Sequence, residues 1–456
     1  MKPAPCLAGM EHELWNCVYF PVTALLYRKF VTTENQLINS LPRRARECVM
    51  LKTKGANSSA HGAAVDSADV VIVGGGIVGS AVAYFLSGDK AFATRRIVLI
   101  ERDPSYAKAS TARSAGGLRQ QFSTPENIAM SQFTLSLIRS LTTTFNPDAD
   151  VGFREQGYLI LAAEDSVNLL SQNVAIQQFH GANIALLDAT VLSRSFPWLA
   201  TEGVRAGALG TSGEGWFDPS SLASLLRNAA RARGVLLLHD EVTRIDGGTR
   251  VEAVQLASGP RLACQAFVDA AGPWAGELAA LAGLALPVEP RKRFVYVIDC
   301  REVPETLRRG PLTVDPSGVW FRPEGRLFLC GKSPEENEEP PADDLDQIDY
   351  AFFDSNVWPR LAERVPVFES VKVVNAWAGF YDYNTLDQNA IIGPHPELAN
   401  FYFACGFSGH GAQQGAAAGR AIAELIVHDA FRTIDLSRLG YARIAEGRPL
   451  PERNVI

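Results

Sequence analysis

The chain has 456 residues, of which 47% are apolar and 20% charged, and its mean hydropathy is zero, so it can bury a sizeable core over two or three domains. A net charge of −7 excludes a global basic field for binding nucleic acid. Seven cysteines without a CxxC pair argue against a disulfide framework or a metal site and favour a reducing compartment. No uncharged apolar stretch reaches the roughly 18 residues of a membrane-spanning helix.

Residues 1–67 form an N-terminal extension that differs in composition from the rest of the chain. Small residues around Ser58 and Gly62 indicate a linker to the first strand. Basic residues precede this linker: Arg28, Lys29, Arg43, Arg44 and Arg46. A basic leader is typical of mitochondrial import, whereas Glu11 and Glu13 fall where import leaders avoid acids. The extension is therefore interpreted either as a mitochondrial import leader or as a disordered tail.

A continuous β-branched run at residues 69–73 predicts a parallel strand that is buried on both faces. Glycines in GxGxxG spacing follow at once, and small and apolar residues suited to a tightly packed helix come next. In this motif the first glycine permits a tight turn, the second lets a pyrophosphate approach the backbone, and the third lets helix and strand pack closely. The pyrophosphate lies at the helix N-terminus, where free N–H groups favour anions. The residues predicted to contact a dinucleotide here are Gly74, Gly76, Ile77, Val78 and Gly79.

A second predicted strand, residues 97–100, ends in an acid. Glu101 lies 22 residues past Gly79 (101 − 79), close to the spacing at which an acid binds a ribose hydroxyl. With the strand and helix around the glycine turn, this acid predicts dinucleotide binding; the alternative is a glycine-rich loop and a surface glutamate. The acid favours an unphosphorylated ribose, so FAD or NAD fits better than NADP. Arg102, the next residue, is included in the predicted site.

Three later segments favour FAD over NAD. Residues 109–117 form a small, hydroxyl-rich stretch that fits along a flavin, and residues 266–274 are typical of a strand that ends in a glycine turn. Residues 400–411 form another such strand and turn, followed by a predicted helix over residues 413–426 whose N-terminus would face the flavin ring. The predicted cofactor contacts in these segments are Ser110, Thr111, Gly116, Gly117, Ala271, Gly272, Trp274, Gly406, Phe407, Ser408, Gly409, His410, Gly411 and Gln413.

These four motifs, in this order, resemble those of the D-amino acid oxidase and sarcosine oxidase family of FAD-dependent oxidoreductases over residues 68–440. The resemblance implies the fold class α/β plus α+β, with a Rossmann-like FAD-binding domain and an inserted, mostly antiparallel β-sheet substrate domain. It also implies FAD as the cofactor, with the backbone of Val242 at the adenine and Gly379 within the cofactor site.

The implied domains alternate along the chain. The FAD-binding domain would consist of residues 68–150, 213–288 and 375–445, and the substrate domain of residues 151–212 and 289–374. Residues 446–456 would be a C-terminal tail. Residues 155–161 and 293–298 are predicted strands of the substrate domain, and residues 236–239 and 241–244 are predicted to return the chain to the FAD-binding domain.

The resemblance also indicates which residues carry chemistry. Arg119 matches the arginine that binds the substrate carboxylate in sarcosine oxidase-like enzymes; alternatively it stabilises the reduced anionic ring or pairs at the surface. His410, between two glycines, is predicted beside the flavin as a catalytic base or as a loop histidine that holds the turn, and the second role is favoured. Tyr381, Asp382 and Tyr383 either line the substrate face or pack the domain junction.

The sequence departs from this family at four positions. Gln413 stands where these oxidases carry a second carboxylate-binding lysine, and Phe328 stands near the position of their oxygen-activating lysine. Phe380 replaces the cysteine, and Arg113 the histidine, to which FAD is covalently attached in some members. FAD is therefore predicted to be non-covalent. A fast reaction with oxygen is not expected, because the cation that stabilises developing superoxide is missing.

A closer resemblance concerns mitochondrial members of the family that assist the assembly of respiratory complex I. It is carried by residues 215–219, 287–293, 377–385, 387–389 and 454–456. It implies a mitochondrial matrix protein, peripherally associated with the inner membrane, whose partners are complex I subunits or assembly intermediates. The alternative is a dehydrogenase that oxidises a small amine or amino acid. An acidic run at residues 335–344 is interpreted as a solvated linker rather than a partner-facing loop.

Overall fold

The computed structural model describes residues 66–454. Residues 1–65, nearly the whole predicted N-terminal extension, and residues 455–456 lie outside the described residues. The import leader and the disordered tail therefore stay predictions.

Strands and helices alternate irregularly along residues 66–454. The strands are β1 (Ser67–Val73), β2 (Ile97–Glu101), β3 (Gly117–Leu118), β4 (Tyr158–Ala162), β5 (Ile184–Asp188), β6 (Ala206–Gly210), β7 (Gly215–Trp216), β8 (Leu236–His239), β9 (Val242–Gly247), β10 (Val251–Leu256), β11 (Arg261–Asp269), β12 (Val288–Asp299), β13 (Leu312–Val314), β14 (Trp320–Glu324), β15 (Leu327–Gly331), β16 (Lys372–Asn384), β17 (Ile391–Pro394) and β18 (Phe401–Cys405). The helices are α1 (Ile77–Gly88), α2 (Ser110–Arg113), α3 (Pro125–Arg139), α4 (Leu141–Thr144), α5 (Val167–Phe179), α6 (Ala189–Ser195), α7 (Pro219–Ala232), α8 (Ala275–Ala280), α9 (Glu305–Arg308), α10 (Tyr350–Phe352), α11 (Trp358–Arg364), α12 (Gly411–His428) and α13 (Ala442–Ala445).

The first sheet is built around parallel strands. Its order is β17–β18–β11–β1–β2–β8; β10 pairs antiparallel with the start of β11, and β9 pairs with β10. Strands β18, β11, β1, β2 and β8 run parallel to one another, whereas β17 pairs antiparallel with β18. Ligands bind at the carboxyl ends of such strands. The glycine turn after β1, the acid at the end of β2 and the turn after β11 therefore meet at one edge of the sheet.

Strand β1 is buried on both faces, as its β-branched run predicted. Val70 and Ile72 belong to the apolar core on one face, and Val71 belongs to the core on the other. All three are at most 1% exposed. The edge of the sheet that follows β1 is therefore held rigidly by two cores.

Helices α1 and α12 pack against each other through small residues. A Cβ atom on Gly419 would lie 2.4 Å from the Cβ of Ala81, closer than atoms can approach. A Cβ on Gly415 would lie 3.1 Å from the side chains of Ile77 and Val78. The glycines of α12 thus let the two helices approach closely, and this brings both helix N-termini to the same edge of the first sheet.

The second sheet is mostly antiparallel, in the order β16–β12–β15–β14–β13–β4–β6–β5. Only the β13–β4 pair is parallel among these strands. The predicted start of the third FAD-binding segment, residue 375, falls within β16. The ladder between β12 and β16 extends to the pair Val288–Asn384, so β16 belongs to the second sheet along its whole length.

Within residues 66–454 no helix has the length and apolarity that crossing a membrane requires. No group of three or more His, Cys, Asp or Glu side chains in the same part of the chain could hold a metal ion.

Candidate cofactor and substrate site

A cavity of about 1150 Å³ extends from the turn after β1 to the second sheet. Most of the residues predicted from the sequence line it: Gly74, Gly76, Ile77, Val78, Glu101, Arg102, Ser110, Thr111, Gly116, Gly117, Arg119, Val242, Ala271, Gly272, Trp274, Gly379, Phe407, Gly409, His410, Gly411 and Gln413. The structure therefore brings together segments that are more than 300 residues apart (411 − 74 = 337).

Three predicted residues do not line the cavity: Gly79, Gly406 and Ser408. A Cβ on Gly79 would lie 1.9 Å from the carbonyl oxygen of Gly74, so Gly79 serves close packing of α1 on β1. The Ser408 hydroxyl accepts the backbone N–H of Asn384 at 3.0 Å, and Gly406 lies in the same turn. These residues position the backbone around the cavity, and their own atoms do not face it.

The turn after β1 fits a pyrophosphate. Gly74 has φ +104°, and a Cβ there would lie 2.1 Å from the carbonyl oxygen of Ala270, so only glycine fits. A Cβ on Gly76 would meet only the Thr111 hydroxyl, at 3.1 Å, which leaves room for a ligand. The amides of Gly76 and Val78 donate to no group within residues 66–454. They lie at the N-terminus of α1, where free N–H groups bind anions.

Glu101 keeps acceptor capacity for a ribose. One carboxylate oxygen accepts the N–H of Gly75 at 2.7 Å, and the other accepts that of Asp103 at 2.9 Å. Each oxygen has a second lone pair, so the group can still accept two hydroxyls. Beside it the Arg102 guanidinium lies 4.6 Å from the centre of the Trp274 ring, a cation–π contact in the cavity wall.

Residues 110–113, which were predicted to lie along the flavin, are hydrogen-bonded to β16. The Ser110 hydroxyl donates to the carbonyl of Phe380 at 2.6 Å, and the Arg113 guanidinium donates to the carbonyl of Ala378 at 3.1 Å. The Trp377 indole donates to the carbonyl of Arg113 at 2.9 Å. Trp377 thus has a structural role, because it joins β16 to the end of α2. Phe380 and Arg113, which replace the attaching cysteine and histidine of some members, both line the cavity. Neither side chain can form a covalent bond to the flavin, so the cavity fits FAD held without one.

Arg119 is buried, only 2% exposed, and its guanidinium is engaged by several groups. It donates to the carbonyl of Asn454 at 2.6 Å and to the carbonyl of Gln121, and it lies 3.1 Å from Nε2 of His410. It also lies 4.1 Å from the centre of the Phe122 ring. Arg119 therefore does not pair at the surface, which was one of the alternatives.

His410 faces the charge of Arg119. An arginine N–H can only donate, so Nε2 of His410 is the acceptor in this contact. Burial and the Arg119 charge lower the pKa of His410 to about 3. The imidazole is therefore neutral at pH 7 and a weak base, and this geometry favours the role of holding the turn at the start of α12 over general-base catalysis.

The C-terminal tail packs against the segment that follows Arg119. The carboxylate of Glu452 accepts the backbone N–H of Ser123 at 2.7 Å, that of Thr124 at 3.1 Å and the side-chain amide of Asn127 at 3.0 Å. Burial opposes its ionisation, but the bonds from Ser123 and Asn127 and the charge of Arg119 hold the pKa of Glu452 below its ordinary value. Nothing in the local pattern of the tail predicted these contacts.

The substrate side of the cavity includes residues that the sequence did not single out as site residues. They are Tyr158, Arg293, Phe294, Val295, Leu312, Trp320, Lys332, Ser333, Asp343 and Leu345. Tyr381 and Asp382 also line the cavity, whereas Tyr383 does not. Phe328 lies fully buried in the core of the second sheet. Arg293 and Lys332 add two cations to the cavity lining, and the expectation of a slow reaction with oxygen stays a prediction.

The acidic run at residues 335–344 is not a solvated linker throughout. Glu339 is 14% exposed, and each of its oxygens accepts one N–H of the Arg293 guanidinium at 2.7 Å. Asp343 and, just beyond the run, Leu345 line the cavity. The prediction failed because the basic residues that neutralise this run lie on β12, distant in sequence.

The fold and the site together define a two-domain FAD-binding oxidoreductase. Its parallel sheet carries a glycine turn after one strand and an acid at the end of the next, and an antiparallel sheet faces them across one cavity. The chain belongs to the DAO family: the family model described as "FAD dependent oxidoreductase" matches residues 69–425. FAD is its cofactor, and the predicted family and fold class are confirmed.

Two named relatives and one solved structure illustrate the similarity. FAD-dependent oxidoreductase domain-containing protein 1 of Bos taurus is 42% identical over 431 residues, which are 86% of this chain and 87% of the relative. Human mitochondrial dimethylglycine dehydrogenase is 29% identical over 390 residues, 80% of this chain and 43% of that protein. L-proline dehydrogenase from P. horikoshii superimposes with a TM-score of 0.74 at 24% identity, covering 85% of this chain and 100% of that chain.

Gly76→Val is expected to weaken FAD binding at least about tenfold, because the branched side chain fills the space in front of the free amides. The dissociation constant can be measured by flavin fluorescence titration of the apoprotein. Gly248→Ala, in the turn between β9 and β10 where a Cβ meets nothing within 4 Å, is the control. A Gly76→Val protein that retains FAD like the control would contradict the assignment of this turn.

Glu452→Gln is expected to lower the free energy of unfolding by about 1–3 kcal/mol, because it removes a buried charge-assisted acceptor. Since the pKa of Glu452 is lowered in the folded state, this difference is full at neutral pH and shrinks as the pH falls below about 4.3. Thermal unfolding across pH measures it. Glu446→Gln, in an exposed pair with Arg448, is the control. Equal stability of the two variants at pH 7 would show that the tail is not held through Glu452.

Proposed function

We propose that this chain is an FAD-dependent dehydrogenase that oxidises the carbon–nitrogen bond of a small amine or amino acid. The observation that carries this proposal is the continuity of the cavity from the glycine turn to Tyr158, Trp320 and Lys332 on the side of the second sheet. The cavity thus combines the dinucleotide end with a chamber that can hold a small molecule. Dimethylglycine dehydrogenase and L-proline dehydrogenase, both similar to this chain, are named for small amines.

The charges in the wall suit an amine substrate. When bound, FAD accepts a hydride from a carbon adjacent to an amine nitrogen. Arg119, Arg293 and Lys332 line the cavity together with Asp343 and Asp382. Cations lower and carboxylates raise the pKa of a bound amine, so an amine held nearest the cations loses its proton more easily and its nitrogen lone pair becomes available. The apolar Leu312 and Trp320 help to exclude water, which strengthens these electrostatic effects.

Asp382 is the wall residue best suited to take the proton that the amine loses. Burial raises the pKa of its carboxyl to about 6, so the group is mostly ionised at pH 7 and can accept a proton. One of its oxygens accepts the backbone N–H of Phe407 at 3.0 Å, which holds the carboxyl in the cavity wall. His410 is a weaker base, because its pKa is lowered to about 3.

Anaerobic mixing of the FAD-loaded protein with a panel of free and N-methyl amino acids tests the enzyme proposal. At least one member of the panel is expected to bleach the visible flavin absorbance. Photoreduction of the same sample is the control that the bound flavin can be reduced. A flavin that photoreduction bleaches and no amine bleaches would defeat the proposal.

We further propose that the protein acts in the mitochondrial matrix, peripherally at the inner membrane, and supports the assembly of respiratory complex I by contacting its subunits or assembly intermediates. The support is the resemblance of its distinctive segments and the higher identity to FAD-dependent oxidoreductase domain-containing protein 1, 42%, than to dimethylglycine dehydrogenase, 29%. In this role FAD would also stabilise the fold by mass action.

Depletion of the protein, followed by native gel analysis of mitochondria, tests the assembly role. Loss of mature complex I is expected, with rescue by the wild-type chain. Weaker rescue by Gly76→Val is expected, because the fold depends on bound FAD. Normal complex I after depletion would contradict this role and leave the enzyme proposal untouched.

A further inference from the structure

The peptide group that joins Gly75 to Gly76 has its two ends in different surroundings. Its N–H belongs to Gly76, which lines the cavity, and it donates to no group within residues 66–454. Its carbonyl oxygen belongs to Gly75 and accepts the Ser80 hydroxyl at 2.9 Å and Nη1 of Arg227 at 3.1 Å. The N–H and the C=O of a planar trans peptide group point in opposite directions. The donors that fix the carbonyl therefore also fix the direction of the free amide.

Arg227 reaches this carbonyl from α7, the helix that packs beside α1. Its side chain is half-buried and does not line the cavity. Nη1 also lies 3.4 Å from the Ser80 hydroxyl, and Nη2 donates to the Ser224 hydroxyl at 3.3 Å. The guanidinium lies 4.1 Å from the centre of the Tyr106 ring, a cation–π contact. Because its hydrogen-bond partners are all uncharged groups, they leave the positive charge behind the glycine turn without neutralising it.

Tyr106 supports the guanidinium in a strained backbone conformation. It lies in the connection between β2 and α2 and has φ +56°, a left-handed conformation that is rare for an aromatic residue. Its hydroxyl is buried and has no hydrogen-bond partner within residues 66–454. A Cβ on Gly75 would lie 2.8 Å from this hydroxyl, so the ring also lies directly against the turn. Such strain persists only where surrounding contacts determine the conformation. The contacts of the ring with Arg227 and Gly75 are the feature that this conformation secures.

The charge of Arg227 can act on an anion in the cavity through the peptide group between them. A hydrogen bond to a carbonyl polarises its peptide group and strengthens the N–H of that group as a donor. A cation behind the group also lowers the energy of an anion in front of it, and this effect grows where water is excluded. The pyrophosphate of FAD is such an anion. The free amide of Gly76 therefore carries the influence of a cation that the cofactor does not touch.

We propose that Arg227 is a positioning residue for the pyrophosphate of FAD: it directs the Gly76 amide into the cavity and adds positive charge behind it, and the Tyr106 ring holds the guanidinium in place. This inference goes beyond the proposed function, because it concerns how the cofactor is held and not which substrate it oxidises.

Arg227→Met tests the role of the charge, because it keeps the length of the side chain and removes the guanidinium. The dissociation constant of FAD, measured by fluorescence titration of the apoprotein, is expected to rise at least about fivefold. Arg227→Lys retains a charge that can donate to the Gly75 carbonyl, and it is expected to recover most of this loss. Arg231→Met removes the same charge from an exposed position one turn further along the chain and is the control.

A purely structural role for Arg227 predicts a different pattern, which competition of ADP and of adenosine against FAD separates. Arg227→Met is expected to weaken ADP by the same factor as FAD and to leave adenosine unchanged, because adenosine carries no phosphate. The apoprotein is expected to unfold at the same temperature as the Arg231→Met control. Equal losses for ADP and adenosine, or a lysine variant as weak as the methionine variant, would overturn the proposal.

Two variants of Tyr106 test the support of the guanidinium, and they decide the matter if Arg227→Met does not fold. Tyr106→Phe keeps the ring and loses only a hydroxyl without a partner within residues 66–454, so FAD affinity is expected to stay unchanged. Tyr106→Leu loses the cation–π contact and is expected to weaken FAD binding about two- to fivefold. A phenylalanine variant as weak as the leucine variant, or a leucine variant that binds FAD like the wild type, would overturn the role of the ring.

These tests are independent of the proposed enzyme function. Binding of FAD or ADP requires no turnover, so the inference about Arg227 stands if the affinities shift as expected while no amine reduces the flavin. Conversely, a flavin that amines reduce in a protein whose FAD affinity does not depend on Arg227 would remove the inference and leave the enzyme function intact.

Discussion

The cavity exists because glycines let backbone segments approach more closely than side chains would permit. Gly79 allows α1 to approach the turn at Gly74, where a Cβ would lie 1.9 Å from a carbonyl oxygen, and Gly419 allows α12 to approach α1 at Ala81. As a result, the N-termini of α1 and α12 line the same cavity. A helix N-terminus carries partial positive charge, so this packing directs two such ends toward a bound nucleotide. Larger side chains at these glycines would separate the elements that form the site.

Two buried arginines in the wall of this cavity are neutralised in different ways. Arg119 is surrounded by peptide carbonyls and the neutral His410, with the charge of Glu452 nearby in the folded tail. Arg293 is paired directly with Glu339, which lies on a peripheral connection. Buried charges require partners, and both arginines have them. The first arrangement holds the C-terminal tail against the segment after Arg119, whereas the second holds the connection after β15 against β12.

The sequence predicted those parts of the site whose conformation depends on neighbouring residues. The β-branched run before Gly74 predicted β1, and the spacing from Gly79 to Glu101 placed an acid at the end of β2, because backbone conformation and strand length depend on nearby residues. The role of His410 stayed open in the sequence, since its pKa depends on Arg119, which lies 291 residues away (410 − 119). The predicted boundary at residue 375 falls within β16, because the length of this strand is set by its pairing with β12, which lies far from it in sequence.

The sequence by itself determined the glycine turn, the strand-terminal acid and the order of the cofactor-binding segments, because turns and strands follow from backbone preferences over a few residues. Only the tertiary structure decided which charges meet. Glu452 reaches Ser123, and Glu339 reaches Arg293, through chain folding that no spacing indicates. Contacts between residues distant in sequence depend on the packing of whole domains, so the substrate side of the cavity became visible only in three dimensions.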